Sequence, residues 1–171
     1  PESLYGASKL ASEAYVRAFS ALYGIQSWIL RLSNMVGERT THGILFDFVK
    51  KVKKSKEELI VLGDGNQFKP YMYVGELIDC MFFVINNASE RVNIFNVGPK
   101  DGVKVSVIAK IFLEHFGEGQ KITYTGGQTG WKGDVPFYSH NSEKLNRLGW
   151  EPKLSSEAAI RKAVARIKET I

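Results

Sequence analysis

The chain has 171 residues, 44% of them hydrophobic and 12% aromatic, enough apolar content for one domain with a real core and too much for a disordered chain. Its net charge of +5 owes much to Lys50, Lys51, Lys53, Lys54 and Lys56; without interleaved aromatics or arginines to stack bases, this run reads as the solvated face of a helix, and no nucleic-acid partner is expected. No apolar run nears the ~20 residues of a bilayer span, so no membrane partner is expected. The lone Cys80 excludes an internal disulfide and fits a reducing, cytoplasmic setting.

In chain order, Tyr5 to Tyr23 predicts an amphipathic helix, with Leu10, Ala14, Phe19 and Leu22 at mostly helical spacings and Gly24 as its stop. Ser27 to Leu32 reads as a strand buried on both faces. Residues 33–45 read as loop, and a helix follows from Phe46 to about Lys54. Leu59 to Leu62 is a strand, and Gly63-Asp64-Gly65 a turn. Tyr71 to Val74 forms a short strand, and Glu76 opens a helix that turns Leu77, Ile78, Met81, Phe82 and Ile85 inward. Asn93 to Val97 is a further strand. A helix with Ile108, Ile111, Phe112 and Phe116 ends at Gly117, and Lys121 to Tyr124 reads as strand before a loop over 126–136. Two helices close the chain, one from near Ser142 and one from Ser155 or Ser156, the latter with Ile160, Ala163, Val164 and Ile167 on one face. The class is alternating α/β.

Chemistry concentrates in Tyr5-Gly6-Ala7-Ser8-Lys9. Four residues apart, a phenol and an ammonium share one helix face. A phenol of pKa about 10 is a poor base at neutral pH. An adjacent cation stabilises the phenolate, and moving the pKa to about 7 requires roughly 4 kcal/mol of differential stabilisation. By itself the pair is equally an ordinary helix start with an exposed lysine. His42, His115 and His140 are scattered, with His115 in a helix and the others in loop or surface positions, and no Cys/His cluster suggests a metal site.

The string SLYGASKLASEAYVRAF resembles the active-site helix of the extended short-chain dehydrogenase/reductase family, in its nucleotide-sugar epimerase and dehydratase branch. ILRLSNMVG is similar to that family's R-x-x-N-x-x-G strand and loop, LIVLGDGNQFKPYMYVGELIDC to its G-D-G-x-Q segment, NIFNVG to its late strand, and GWKGDVP with KLNRLGWEPK to its C-terminal signature. The resemblance extends over nearly the whole chain, and is closest to the UDP-glucose 4-epimerase type.

It implies the C-terminal part of a Rossmann-type doubly wound domain plus a smaller α/β substrate-binding lobe. Residues 1–35 would be the catalytic helix and strand, and 36–171 mainly the lobe, with about 71–98 returning to the Rossmann sheet. It implies NAD as cofactor and a UDP-sugar as substrate, with Tyr5 as acid/base and Lys9 binding the nicotinamide ribose. Leu32 and Ser33 would line the nicotinamide pocket, with backbone atoms as candidate contacts, and Asn34 would contact the nucleotide diphosphate unless it is a turn residue. Lys69 stands where many relatives have arginine, so it is either a phosphate contact without a bidentate fork or a surface lysine. Asp134 would touch the nucleotide ribose or hold its loop. Thr129, Trp131 and Lys132 replace an arginine-bearing stretch. A homodimer through the Tyr5/Lys9 helix is implied, with Tyr15, Val16 or Phe19 on its exposed side.

The family's G-x-x-G-x-x-G turn before a helix N-terminus is assigned to no segment of this chain, nor is its hydroxyl-binding Ser/Thr or the acidic pair that marks dehydratases. With Pro1 in place of an initiating Met, the expectation is a C-terminal half, inactive alone. A 4,6-dehydratase or uronate epimerase is the near alternative. A non-catalytic nucleotide-sugar-binding remnant is the alternative of another class, and it gives no reason to keep both Tyr5 and Lys9.

Overall fold

A computed structural model describes residues 1, 3–131 and 133–170. Helix α1 spans Leu4–Tyr23; Ser3 caps it by accepting the Gly6 N–H at 3.0 Å, and Gly24 ends it at φ +68°, a left-handed conformation suited to glycine. Strands β1 (Ser27–Leu32) and β2 (Asn34–Val36) follow, then α2 (Ile44–Lys54), β3 (Glu58–Val61), β4 (Phe68–Lys69) and β5 (Tyr71–Tyr73). The rest comprises α3 (Val74–Asn87), β6 (Val92–Val97), β7 (Val103–Lys104), α4 (Val105–Phe116), β8 (Lys121–Tyr124), α5 (Glu143–Leu148) and α6 (Ser156–Thr170). The short strands β2, β4 and β7 fall where the sequence reads as loop or turn. Two or three residues are too few to carry an alternating pattern, and only their partners define them.

Strands pair as β1–β6, β2–β5 and β3–β8, all parallel, with β4–β7 antiparallel. The larger core joins α2, α4 and α6 over β3 and β5, and includes Phe48, Leu59, Ile108, Phe112, Ile160 and Val164. Phe48 meets Phe112 edge-on, with ring centroids 5.5 Å apart. The second core sets Cys80 and Val84 of α3 and Leu145 of α5 against Phe95 and Val97 of β6. Trp28 packs there too, and its indole N–H donates to the Val84 and Ala88 carbonyls at 3.1 and 3.2 Å. Burial pushes the Cys80 thiol up to about 11, so it stays protonated and behaves as a small apolar residue.

Three packing expectations need correction. In α1 only Ser20 is buried, and Leu10, Phe19 and Leu22 lie exposed. In β1 only Ile29 is buried. In α3, Cys80 and Val84 face inward while Ile78, Met81, Phe82 and Ile85 are exposed. The reason is common to all three: β1 pairs with β6 alone, and a two-stranded sheet is too narrow to cover helices on both faces. Of the lysine run, Lys50, Lys53 and Lys54 lie exposed on α2 and Lys56 lies exposed beyond its end, while Lys51 is half-buried and pairs with Asp47 at 2.6 Å; Lys50 lies 4.2 Å from the Phe46 ring centroid.

Candidate active site

The chain changes sheets between two adjacent residues. The Ser33 N–H donates to the Val97 carbonyl at 2.9 Å, extending the β1–β6 ladder, and the Asn34 N–H donates to the Pro70 carbonyl at 3.2 Å, where the β2–β5 pairing begins. This change of strand partner opens a crevice past the carboxyl ends of β1 and β6, the place where α/β sheets bind ligands. A cleft of about 1140 Å³ runs along β1 from Trp28 and on into the segment after it, with Tyr5, Lys9, Leu32, Ser33, Asn34 and Tyr138 in its wall and no residue of β6.

Helix α1 presents the Tyr5 ring and the Lys9 ammonium together, with Nζ 5.4 Å from the ring centroid. One helical turn separates the two, which brings cation and phenol to the same side of the cleft. Ser33 is only 6% exposed, and its Oγ has no hydrogen-bond partner; the Asn34 Nδ2 is likewise buried and unpartnered. Unmet buried polar atoms are costly, so these two fit a ligand that supplies hydrogen-bonding groups, as the carboxamide and ribose of NAD or a sugar nucleotide would. The Ser33 backbone N–H is committed to Val97, which leaves the side chain and carbonyl as its groups for a ligand. Gly98 stands beside it: a Cβ there would lie 2.8 Å from the Ser33 Cβ and 3.4 Å from the His140 ring, a space that only glycine leaves free.

Lys69 and Asp134 meet each other rather than the cleft. They form a buried ion pair, and Asp134 also accepts the Gly130 N–H at 3.0 Å. The pair lies close behind the wall: burial first, and then Tyr138 and Asp134, hold the Tyr71 phenol above its ordinary range. Sequence reasoning passed over Tyr138, whose phenol is raised by burial, and left His140 as surface or loop, although burial lowers its pKa. The only signal in sequence was an aromatic pair, Phe137-Tyr138, ahead of α5.

Gly127, Gly130 and Gly133 do follow the G-x-x-G-x-x-G spacing just after β8, contrary to the expectation that no segment matches. The next helix, α5, opens only at Glu143. No helix follows directly on that turn, so it does not form the family's glycine turn into a helix N-terminus, although Ser3, the N-cap of α1, lies near it: a Cβ at Gly133 would stand 4.0 Å from the Ser3 Cβ. Lys132 lies outside the described residues. Among the described residues, no group of three or more His, Cys, Asp or Glu is arranged to hold a metal, and no helix is long and apolar enough to cross a membrane.

The family model for NAD dependent epimerase/dehydratases matches residues 1–98. The chain belongs to this family. It is 30% identical over 168 residues to a putative UDP-glucose 4-epimerase of Methanocaldococcus jannaschii, covering 96% of this chain and 53% of the relative. A crystal structure of a UDP-galactose 4-epimerase superposes with a TM-score of 0.88 at 30% identity, covering 100% of this chain and 55% of that one. The UDP-glucose 4-epimerase of Thermus thermophilus, solved with NAD, matches with a TM-score of 0.81 at 25% identity, covering 100% of this chain and 56% of that one. Relatives named as dTDP-glucose 4,6-dehydratases also match. The fold is thus the Rossmann-type α/β fold of these enzymes, the family is NAD-dependent, and the chain spans about half the length of the curated relatives it matches.

Proposed function

We propose that this chain carries the acid/base half of an NAD-dependent nucleotide-sugar 4-epimerase acting on UDP-glucose and UDP-galactose. The observation that carries the reading is the Tyr5/Lys9 pair on the wall of a cleft in which Ser33 and Asn34 hold buried, unpartnered polar atoms. When bound, NAD supplies reversible hydride acceptance at the sugar carbon. The chain's own residues handle the proton and the positions. Tyr5 takes the C4 hydroxyl proton and later returns it to the same oxygen, once the sugar presents its other face. Lys9 bonds the nicotinamide ribose, while Leu32 and Ser33 line the nicotinamide pocket.

Asn34 contacts the diphosphate. Lys69 and Asp134 border the nucleotide as a mutually neutralised pair, which weakens any clamp on phosphate. In this reading residues 1–35 and about 71–98 belong to the cofactor-binding sheet and the remainder mainly to the substrate lobe. The enzyme is cytoplasmic, and a homodimer forms through α1, whose Tyr15 and Phe19 are exposed here.

The dehydratase relatives favour one rival, an NDP-sugar 4,6-dehydratase, which shares the first oxidation. Incubating the full gene product with UDP-galactose and with dTDP-glucose separates the two. Interconversion of UDP-galactose and UDP-glucose supports the epimerase; a stable 4-keto-6-deoxy product from dTDP-glucose sinks it.

A further inference from the structure

Among the described residues, two side-chain hydrogen-bonded contacts tie α1 to other elements. Near its end, the Ser20 hydroxyl donates to the Ser27 hydroxyl at 2.8 Å. At its middle, Arg31 of β1 grips Glu13 with both ends of its fork, Nε to Oε1 at 2.8 Å and Nη2 to Oε2 at 2.7 Å. From Leu4 to Ser12, among the described residues, no side-chain hydrogen bond or ion pair reaches another secondary-structure element. The reactive end of the helix thus projects beyond its last anchor.

The two anchors fix the direction. Residues 20 and 13 meet residues 27 and 31 in turn, so α1 runs antiparallel to β1 and both elements can be measured from the Glu13–Arg31 contact. A helix rises about 1.5 Å per residue, which puts Lys9 about 6 Å further along. A strand rises about 3.3 Å per residue, which puts Ser33 about 6.6 Å further along in the same sense. Lys9 therefore comes level with Ser33, and Tyr5 stands one turn beyond, over the mouth of the crevice. A bidentate guanidinium–carboxylate pair is suited to this task because two parallel hydrogen bonds fix rotation as well as distance.

We propose that Glu13 and Arg31 are positioning residues, a clamp that sets where Tyr5 and Lys9 stand over the end of β1. This rests on the epimerase/dehydratase reading of the site. Both side chains also line the cleft; the role assigned to them here is exerted through the helix. The charged neighbours of the pair on α1 are Lys9 and Arg17, each one turn from Glu13, and Arg17 adds to its positive surroundings.

The test has two arms. In the full gene product with NAD bound, Glu13→Gln and Arg31→Lys are each expected to lower kcat about ten-fold or more while KM changes by less than about two-fold, since small misplacements of a reacting group are costly. The swapped double variant, Glu13→Arg with Arg31→Glu, restores the pair and recovers part of the loss in kcat with KM unchanged. In the 171-residue chain, hydrogen exchange speeds up over the amides of Tyr5 to Ser12 in Glu13→Gln and is unchanged in β1 and β6. Wild-type kcat in the variants, beside a dead Tyr5→Phe, overturns the clamp alone, as does unchanged exchange in α1. Absence of any NAD-dependent turnover in the wild type overturns the underlying reading, and the positioning role with it.

Discussion

Asp134 accepts a hydrogen bond from the Lys69 ammonium across 65 residues of sequence, and the two side chains are only 6% and 16% exposed. The contact ties β4 to the loop after β8, and Asp134 holds that loop again through the Gly130 N–H. Breaking a buried pair by removing one partner strands the other charge. Asp134→Ala is therefore expected to destabilise the chain by about 3–5 kcal/mol, and Lys69→Met with Asp134→Leu by much less. Urea denaturation of the three proteins measures both.

Tyr5 and Lys9 stand exposed on α1, so altering them touches no core. Tyr5→Phe and Lys9→Met should change unfolding free energy by no more than about 0.5 kcal/mol. In the full gene product each should cut turnover by about a hundred-fold or more, the scale of a lost acid/base group. Melting curves and steady-state kinetics on the same preparations read the two effects separately.

Among its described residues, the 171-residue chain sets no G-x-x-G-x-x-G turn directly before a helix, so it should not bind NAD with micromolar affinity. Isothermal titration with NAD checks this, and a micromolar dissociation constant would remove the proposal that most of the cofactor's cradle lies in the other half of the enzyme.

Glu13 supplies a pH signature. Arg31, hydrogen-bonded to it, holds its carboxyl below the usual carboxylate range. A lowered folded-state pKa means that the pair's contribution is complete above the unfolded value of about 4.5 and fades as pH falls through the folded value. The stability gap between wild type and Glu13→Gln should stay constant from pH 8 to about 5 and close in more acid solution. The gap itself is small, about 1 kcal/mol or less, since Arg31 is half exposed. Urea titrations over that pH range test the sign.

Exposed Ile78, Met81, Phe82 and Ile85 on α3, beside a β1 strand with one free edge, form a sticky face. Phe82→Ser with Ile85→Gln should leave stability within about 0.5 kcal/mol and reduce self-association. Light scattering against concentration reports it; unchanged scattering would mean that association runs through another surface.

What the sequence determined by itself was local or motif-borne. Helical periodicity located α1, α4 and α6, the run SWILRL located β1, and the order of five family-like segments carried the family to which the chain belongs. The Tyr5/Lys9 spacing placed phenol and ammonium on one face because a helix repeats every 3.6 residues, a property of the backbone alone. Contacts between distant segments followed no such rule. Only the tertiary structure decided that Lys69 and Asp134 bind each other, that Tyr138 and His140 come in beside the end of β1, and that α3 buries Cys80 and Val84 in place of its larger apolar residues. An apolar stripe records which side a helix is able to bury; which side is covered depends on the sheet beside it, and here two strands are too few to cover both α1 and α3.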